Sequence, residues 1–266
     1  MEYNIKQKLN DFSSGLTNKY YREFIRLHLK YGKKPRYEKG TIRFLDFEIN
    51  VHDYLSFIFQ YKEIFVKKAY SFATSKNEPV IYDCGANIGI SCLYFKNNFP
   101  NAKVKAFEAD PDLAVTLKKN LFKNSAGDIE IIPKAVWINN DGVLFGSDGA
   151  DGGSMFNEKN KNKIDSIRLK DFLEKESEVD MLKMDIEGAE VDVLSDCSGS
   201  LENVRNIYVE YHRWKLQPFR LDELLTVLTK EGFSYYLEPL SKISAPLAAS
   251  NNLKNSDLQF NIYASK

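Results

Sequence analysis

The most constraining feature of this chain is a short apolar run, Val80-Ile81-Tyr82, that stops on an acid and a glycine turn, Asp83-Cys84-Gly85-Ala86-Asn87-Ile88-Gly89. Helical spacing of Ile90, Leu93 and Tyr94 follows at once. The pattern then repeats. Val104 to Phe107 ends on Glu108, and Asp110 and Pro111 supply an N-cap and a first-turn proline for a helix striped by Leu113, Leu117 and Leu121. Ile129 to Trp137 reads as a third strand and Val179 to Met184 as a fourth, followed by a helix from near Gly188. Asn206 to Val209 is the fifth. Leu221, Leu225 and Leu228 mark a helix closed by Gly232, and Phe233–Leu237 with Leu258–Ala264 reads as a final strand pair. Strands alternating with helices specify an α/β domain with a mostly parallel sheet covered on both faces.

In such sheets ligands sit beyond the carboxyl ends of the strands, which is where the chemistry-bearing residues fall. Asp83, Gly85, Asn87 and Gly89 form the first turn. Its Gly-x-x-x-Gly spacing lacks the G-x-G-x-x-G that seats a pyrophosphate on a helix N-terminus, so a nicotinamide oxidoreductase is the weaker alternative. Glu108 stands where an acid accepts hydrogen bonds from ribose hydroxyls, a feature that nicotinamide and S-adenosylmethionine sites share. Asp185 and Glu187 end the fourth strand one residue apart, and Glu210 and His212 repeat that spacing on the fifth. If the strands persist, period two points each pair to one side.

Asp83–Ser91 (DCGANIGIS), Ala106–Pro111 (AFEADP), Lys183–Glu190 (KMDIEGAE) and Val209–His212 (VEYH) together resemble the FkbM family of S-adenosylmethionine-dependent methyltransferases over roughly residues 79 to 215. The resemblance implies a class I, Rossmann-like methyltransferase fold and methyl transfer to a hydroxyl oxygen. Its acceptors are commonly sugars of surface glycans or hydroxyls of secondary metabolites. It further implies that Asp83, Gly85, Asn87 and Gly89 cradle the methionine end of S-adenosyl-L-methionine, that Glu108 holds the ribose, and that Ala135 and Val136 lie beside the adenine. Ala109 departs from the proline usual after the ribose-binding acid. A hydroxyl needs a base as its oxygen takes a methyl group. A neutral His212 fits that task, with Asp185, Glu187 or Glu210 orienting it or replacing it. No tight metal-ligand motif is present, so no metal is expected, although these four side chains are oxygen and nitrogen donors.

Residues 1–78 have another texture, and the polar stretch Thr74–Glu78 before Pro79 divides an N-terminal helical and hairpin lobe, 1–78, from a methyltransferase domain, 79–266. In the lobe Tyr20–Tyr31 is aromatic and basic, Thr41–Val51 alternates as one strand with a buried face, and Asp53–Phe72 reads as one amphipathic helix. That helix packs on the domain in the favoured reading and lies on a membrane surface in the lesser one. Asn139–Lys163, rich in glycine, is either a surface hairpin or an acceptor-binding loop, and Arg213 with Trp214 is a candidate sugar platform.

Composition excludes several partners. Lys plus Arg and Asp plus Glu both number 37, which argues against a dedicated nucleic-acid binder. No long uncharged apolar run provides a transmembrane span, and residues 1–20 lack the apolar stretch of a signal peptide. Cys84, Cys92 and Cys197 are an odd set without zinc spacing, as suits reduced thiols in a cytoplasmic protein. The expected partner is a saccharide or small-molecule hydroxyl acceptor, and the oligomeric state is not legible.

Overall fold

The structure, a computed structural model, describes residues 18–146, 161–214, 217–240 and 257–266. In the lobe, α1 (Lys19–Tyr31) begins where the Asn18 side chain accepts the Tyr20 N–H at 2.9 Å. Thr41–Val51 is two strands rather than one. β1 (Gly40–Phe44) and β2 (Phe47–Val51) pair antiparallel, because Leu45 takes a left-handed φ of 47° and reverses the chain. Ile42, Phe44, Ile49 and Val51 still share the buried face. The amphipathic helix is also shorter than its periodicity suggests. α2 (Tyr54–Tyr61), capped by Asp53, widens into one π-helical turn over Lys62–Val66, and Lys68 at φ 58° ends it.

The lobe packs on the domain. Phe65 stacks on Tyr61 at 5.1 Å and meets Tyr94 edge-on at 5.2 Å, and a fully buried ring of this size contributes about 2 kcal/mol by leaving water. Asn120, fully buried, accepts the Asn50 N–H and donates to the carbonyls of Asn50 and Ile88. One hydrophobic cluster therefore runs from Leu27 and Phe44 to Ile81 and Phe95, across the expected boundary at Pro79.

The domain core is a seven-stranded sheet. In chain order its first five strands are β3 (Val80–Cys84), β4 (Lys103–Phe107), β5 (Glu130–Ile132), β10 (Met181–Met184) and β11 (Asn206–Arg213), all parallel. β12 (Ser234–Pro239) and β13 (Leu258–Ser265) complete the order β12-β13-β11-β10-β3-β4-β5, with β13 antiparallel to both neighbours. Both faces are covered, so the central strands read as near-continuous apolar runs. α3 (Ile90–Asn98) starts from the left-handed Gly89, and Asp110 caps α4 (Pro111–Lys123) through the Asp112 and Leu113 N–H groups. Further on lie α5 (Lys170–Leu173), α6 (Glu190–Asp196) and α7 (Leu221–Lys230). The structure thus has the class I methyltransferase-like architecture expected, with its antiparallel C-terminal strands.

The third expected strand is interrupted at Pro133, which has no N–H to give. Glu130–Ile132 forms the sheet edge, whereas β6 (Ala135–Trp137) leaves the sheet and pairs in parallel with β9 (Ser166–Arg168). The ends of the glycine-rich stretch form an antiparallel hairpin, β7 (Val143–Gly146) with β8 (Lys161–Ile164); Gly149, Gly152 and Gly153 lie outside the described residues. No described helix is long and apolar enough to cross a membrane.

Candidate active site

The chain runs from β3 outward to β4 and β5, then returns to place β10 on the other side of β3. The sheet therefore reverses its order between β3 and β10, the crevice where open α/β folds bind ligands. A cavity of about 470 Å³ opens at that point. The two loops beside it are in close contact. The Asp185 N–H donates to the Cys84 carbonyl at 3.1 Å, and a Cβ built on Gly85 would stand 1.8 Å from the Asp185 carbonyl oxygen. Gly85 is at φ 83°, so both its conformation and its clearance require glycine.

One end of the cavity is built on β3 and β4. Gly85, Asn87, Glu108, Ala135 and Val136 line it. Asn87, at φ 50°, turns its N–H onto the Glu108 carboxylate at 2.7 Å, and the Asp110 N–H reaches the other Glu108 oxygen at 2.8 Å. Burial pushes the Glu108 carboxyl up to about 7 although both N–H groups favour its charged form. Asp83 and Gly89 are not on the cavity wall. Asp83 is fully buried beneath the turn, where it accepts from Ser91 Oγ at 2.5 Å and pairs with Lys183 Nζ at 3.3 Å. Gly89 faces Leu117 and Leu121. Both shape the turn from below.

The other end gathers the acids of β10 and β11. The strand stops at Met184, so period two does not align Asp185 with Glu187; a left-handed turn at Glu187 (φ 58°) and Gly188 does. Glu190, fully buried, clamps that turn by accepting the Ile186 and Gly188 N–H groups at 3.0 Å. β11 runs four residues further than its apolar core, carrying Glu210 and His212 to the same place. His212 Nε2 lies 3.4 Å from Glu210 and 3.7 Å from Glu187, and Nδ1 is 3.1 Å from the Glu210 carbonyl. Trp214 stacks beside His212 and donates its indole N–H to the Glu187 carbonyl.

The surroundings of His212 favour its protonated form over the expected neutral one. Burial alone would lower its pKa, but Glu187, Glu190 and Glu210 outweigh burial and hold it well above the ordinary value. Burial and the neighbouring Glu210 push Asp185 up to about 7. Burial likewise pushes Glu187 well up despite the His212 charge, whereas for Glu210 the His212 partnership overcomes burial and keeps the carboxylate charged. At this end of the cavity Asp185 is the carboxyl brought to about 7, with a side chain 26% exposed. Asp185, Glu187 and His212 also put one donor atom each within 4.8 Å of one another, close enough to share a cation.

Two contributions escape a reading of the motifs. Ser56, Phe59, Gln60, Glu63 and Ile64 of the lobe wall the cavity opposite the sheet. Lys183 lines it too, from the middle of an apolar strand. Lys183 opens the KMDIEGAE motif, but no role was read for it, and a charged residue in an otherwise apolar strand was the signal for one.

Residues 83–235 match the methyltransferase FkbM domain. Among curated relatives, methyltransferase sdnD of Sordaria araneosa is 30% identical over 215 residues, covering 66% of this chain and 81% of its own. The 2-O-methyltransferase NoeI of Sinorhizobium fredii is 27% identical over 158 residues, covering 51% and 64% respectively. Among solved structures, methyltransferase FkbM from Methylobacillus flagellatus has a TM-score of 0.50 at 17% identity, over 72% of this chain and 45% of that one, a likeness of fold alone.

Proposed function

Since the chain belongs to the FkbM methyltransferase family, we propose that it is an S-adenosylmethionine-dependent O-methyltransferase acting on a sugar hydroxyl of a glycan or glycoconjugate. The observation that carries this reading is a single cavity with Glu108 and the glycine turn at one end and Asp185, Glu210 and His212 at the other. The first end fits the cofactor. Gly85 lets the backbone approach closely, and the Glu108 oxygens, each already fixed by one N–H, have lone pairs left for ribose hydroxyls. Ala135 and Val136 offer an apolar wall for an adenine. When bound, S-adenosylmethionine supplies an electrophilic methyl group.

At the second end the chain supplies the proton chemistry. An acceptor hydroxyl against Asp185 gives up its proton to that carboxylate as its oxygen becomes the nucleophile. Glu210 and the His212 imidazolium hold the surrounding charge in place. The acceptor wall favours a saccharide. Phe59, 63% exposed, and Trp214 put aromatic rings on the cavity wall, where the apolar side of a sugar can pack, while Gln60 and Glu63 add hydrogen-bonding groups. The 2-O-methyl transfer named for NoeI is in keeping with an oxygen acceptor. Transfer of a labelled methyl group to a panel of oligosaccharides tests this; incorporation only into amine or carbon acceptors would overturn it.

Two predictions arise here. S-adenosylhomocysteine affinity should rise with pH up to about 7 and level off above it, because Glu108 must lose its proton to accept from the ribose. Glu108→Gln should abolish that dependence and weaken binding about 100-fold by removing charge-assisted hydrogen bonds worth roughly 1.5–3 kcal/mol each. Calorimetric titration between pH 6 and 8.5 reads both, and a slope unchanged in the variant would remove Glu108 from the ribose site. The second concerns metal. The His212 proton already supplies positive charge among Asp185, Glu187 and Glu210, so turnover should survive a chelator. Loss restored by magnesium or manganese would instead place a cation among Asp185, Glu187 and His212.

A further inference from the structure

Lys183 is a lysine with its side chain only 2% exposed, on β10 in register with Asp83 of the parallel neighbour β3. Its Nζ donates to the Gly85 carbonyl at 2.6 Å and to the Cys84 carbonyl at 3.2 Å, the two carbonyls that begin the glycine turn. The same nitrogen stands 3.3 Å from Asp83 Oδ1 below and 3.7 Å from Asp185 Oδ2 above, and faces the Tyr70 ring at 5.8 Å. An ammonium has three N–H groups and is a compact point charge. Here one such charge touches both halves of the cavity, the turn that would hold the cofactor and the acid that would take the proton.

We infer that Lys183 is a positioning residue that fastens the cofactor turn to Asp185, so that cofactor affinity and the acidity of Asp185 depend on one ammonium. Two independent contacts carry this. The hydrogen bond to the Gly85 carbonyl fixes the turn at the residue where a Cβ would meet the Asp185 carbonyl. The ion pair to Asp185 sets a positive charge beside a carboxyl that otherwise faces Glu210, Glu190 and Glu187 as well as His212. The Lys183 charge is also felt at Glu108 and Glu210 in the direction that favours their carboxylates. A purely structural lysine would only neutralise the buried Asp83, and the two roles are separable.

The inference rests on the methyl-transfer reading for its effect on turnover, but its readouts need no acceptor. Lys183→Met alone leaves Asp83 buried and unpaired, so the informative variant is the double exchange Asp83→Asn with Lys183→Met, compared with Asp83→Asn alone. In protein carrying 13C-labelled aspartate, the Asp185 carboxyl midpoint should stay near that of the wild type in Asp83→Asn and rise by at least one pH unit in the double variant. S-adenosylhomocysteine affinity, by calorimetry, should fall at least tenfold between the same two proteins. Equal midpoints and equal affinities in the two variants would reduce Lys183 to a partner for Asp83. In the wild-type protein, the Lys183 ammonium resonance should move both when S-adenosylhomocysteine is added and when Asp185 titrates; a resonance blind to either overturns the inference whatever the variants' stability. Failure of the wild type to bind S-adenosylhomocysteine would count against the proposed function and leave the Asp185 midpoint test standing.

Discussion

Asp185→Asn should lower turnover by about 10²–10⁴-fold, the range a positioned general base contributes, while leaving S-adenosylhomocysteine affinity within a few-fold of the wild type. The pH profile separates this from a binding defect. A base acts only when deprotonated, and burial beside Glu210 pushes Asp185 up to about 7, so the wild-type rate should climb with pH through that region and level off above it. Asparagine cannot take the proton, and the limb should vanish. His212 would not produce it, because its acidic neighbours hold its pKa well above the ordinary value. His212→Asn should therefore slow the enzyme yet leave a rising limb, moved upward because Asp185 loses a cationic neighbour. Survival of the limb in Asp185→Asn and its loss in His212→Asn would return the base to His212. Activity is measured only at pH values where circular dichroism shows the fold intact.

The exchange of roles proposed for His212 and Asp185 marks where sequence patterns stop being informative. His212 and its acids were legible as strand-end residues because a strand in a doubly wound sheet delivers its last side chains to one crevice. Their proton balance was not, since it depends on the Glu187 turn and on Glu190, which is fully buried beneath that turn. The same limit explains Asp83. Its place at the end of β3 was correct, but its direction was decided by Ser91 and Lys183, eight and a hundred residues away, which draw it under the turn. Glu108 was easier, because an acid just past β4 meets one N–H from its own loop, that of Asp110, and one from the adjacent glycine turn, that of Asn87.

In the lobe, alternation reported the buried face of Thr41–Val51 and missed the reversal at Leu45, because a hairpin whose two arms use one face keeps nearly the same pattern as one long strand. Helical spacing in Asp53–Phe72 hid the π-helical turn for a similar reason, since the aromatic stripe of Phe57, Tyr61 and Phe65 continues through it. The lobe's share in the cavity carries no motif at all. It arises from tertiary packing of Phe65 on Tyr94, which sets Phe59, Gln60 and Glu63 over the strand ends.

The close approach of the two site loops makes Gly85→Ala a strongly damaging substitution. Alanine at φ 83° is strained by about 1–2 kcal/mol. Its Cβ would also stand 1.8 Å from a backbone oxygen, that of Asp185, which cannot rotate away as a side chain would. Forcing apart packed groups adds about 1–3 kcal/mol, for a total of roughly 2–5 kcal/mol, or about 5–15 °C in Tm for a chain of this length. Gly232→Ala is the matched control. It has the same left-handed φ, 84°, with nothing within 4 Å of the added Cβ, so only the strain remains. S-adenosylhomocysteine should raise the Tm of Gly232→Ala as it does that of the wild type, by binding the folded state alone, and should fail to raise that of Gly85→Ala. The loss has a physical cause in the site, because relieving the clash moves either the turn that carries Asn87 or the peptide that carries Asp185, and separates the halves that Lys183 joins. Equal Tm losses in the two variants, with ligand stabilisation kept in both, would mean that the loops do not touch at Gly85, and the inferred coupling of the glycine turn to Asp185 would go with that contact.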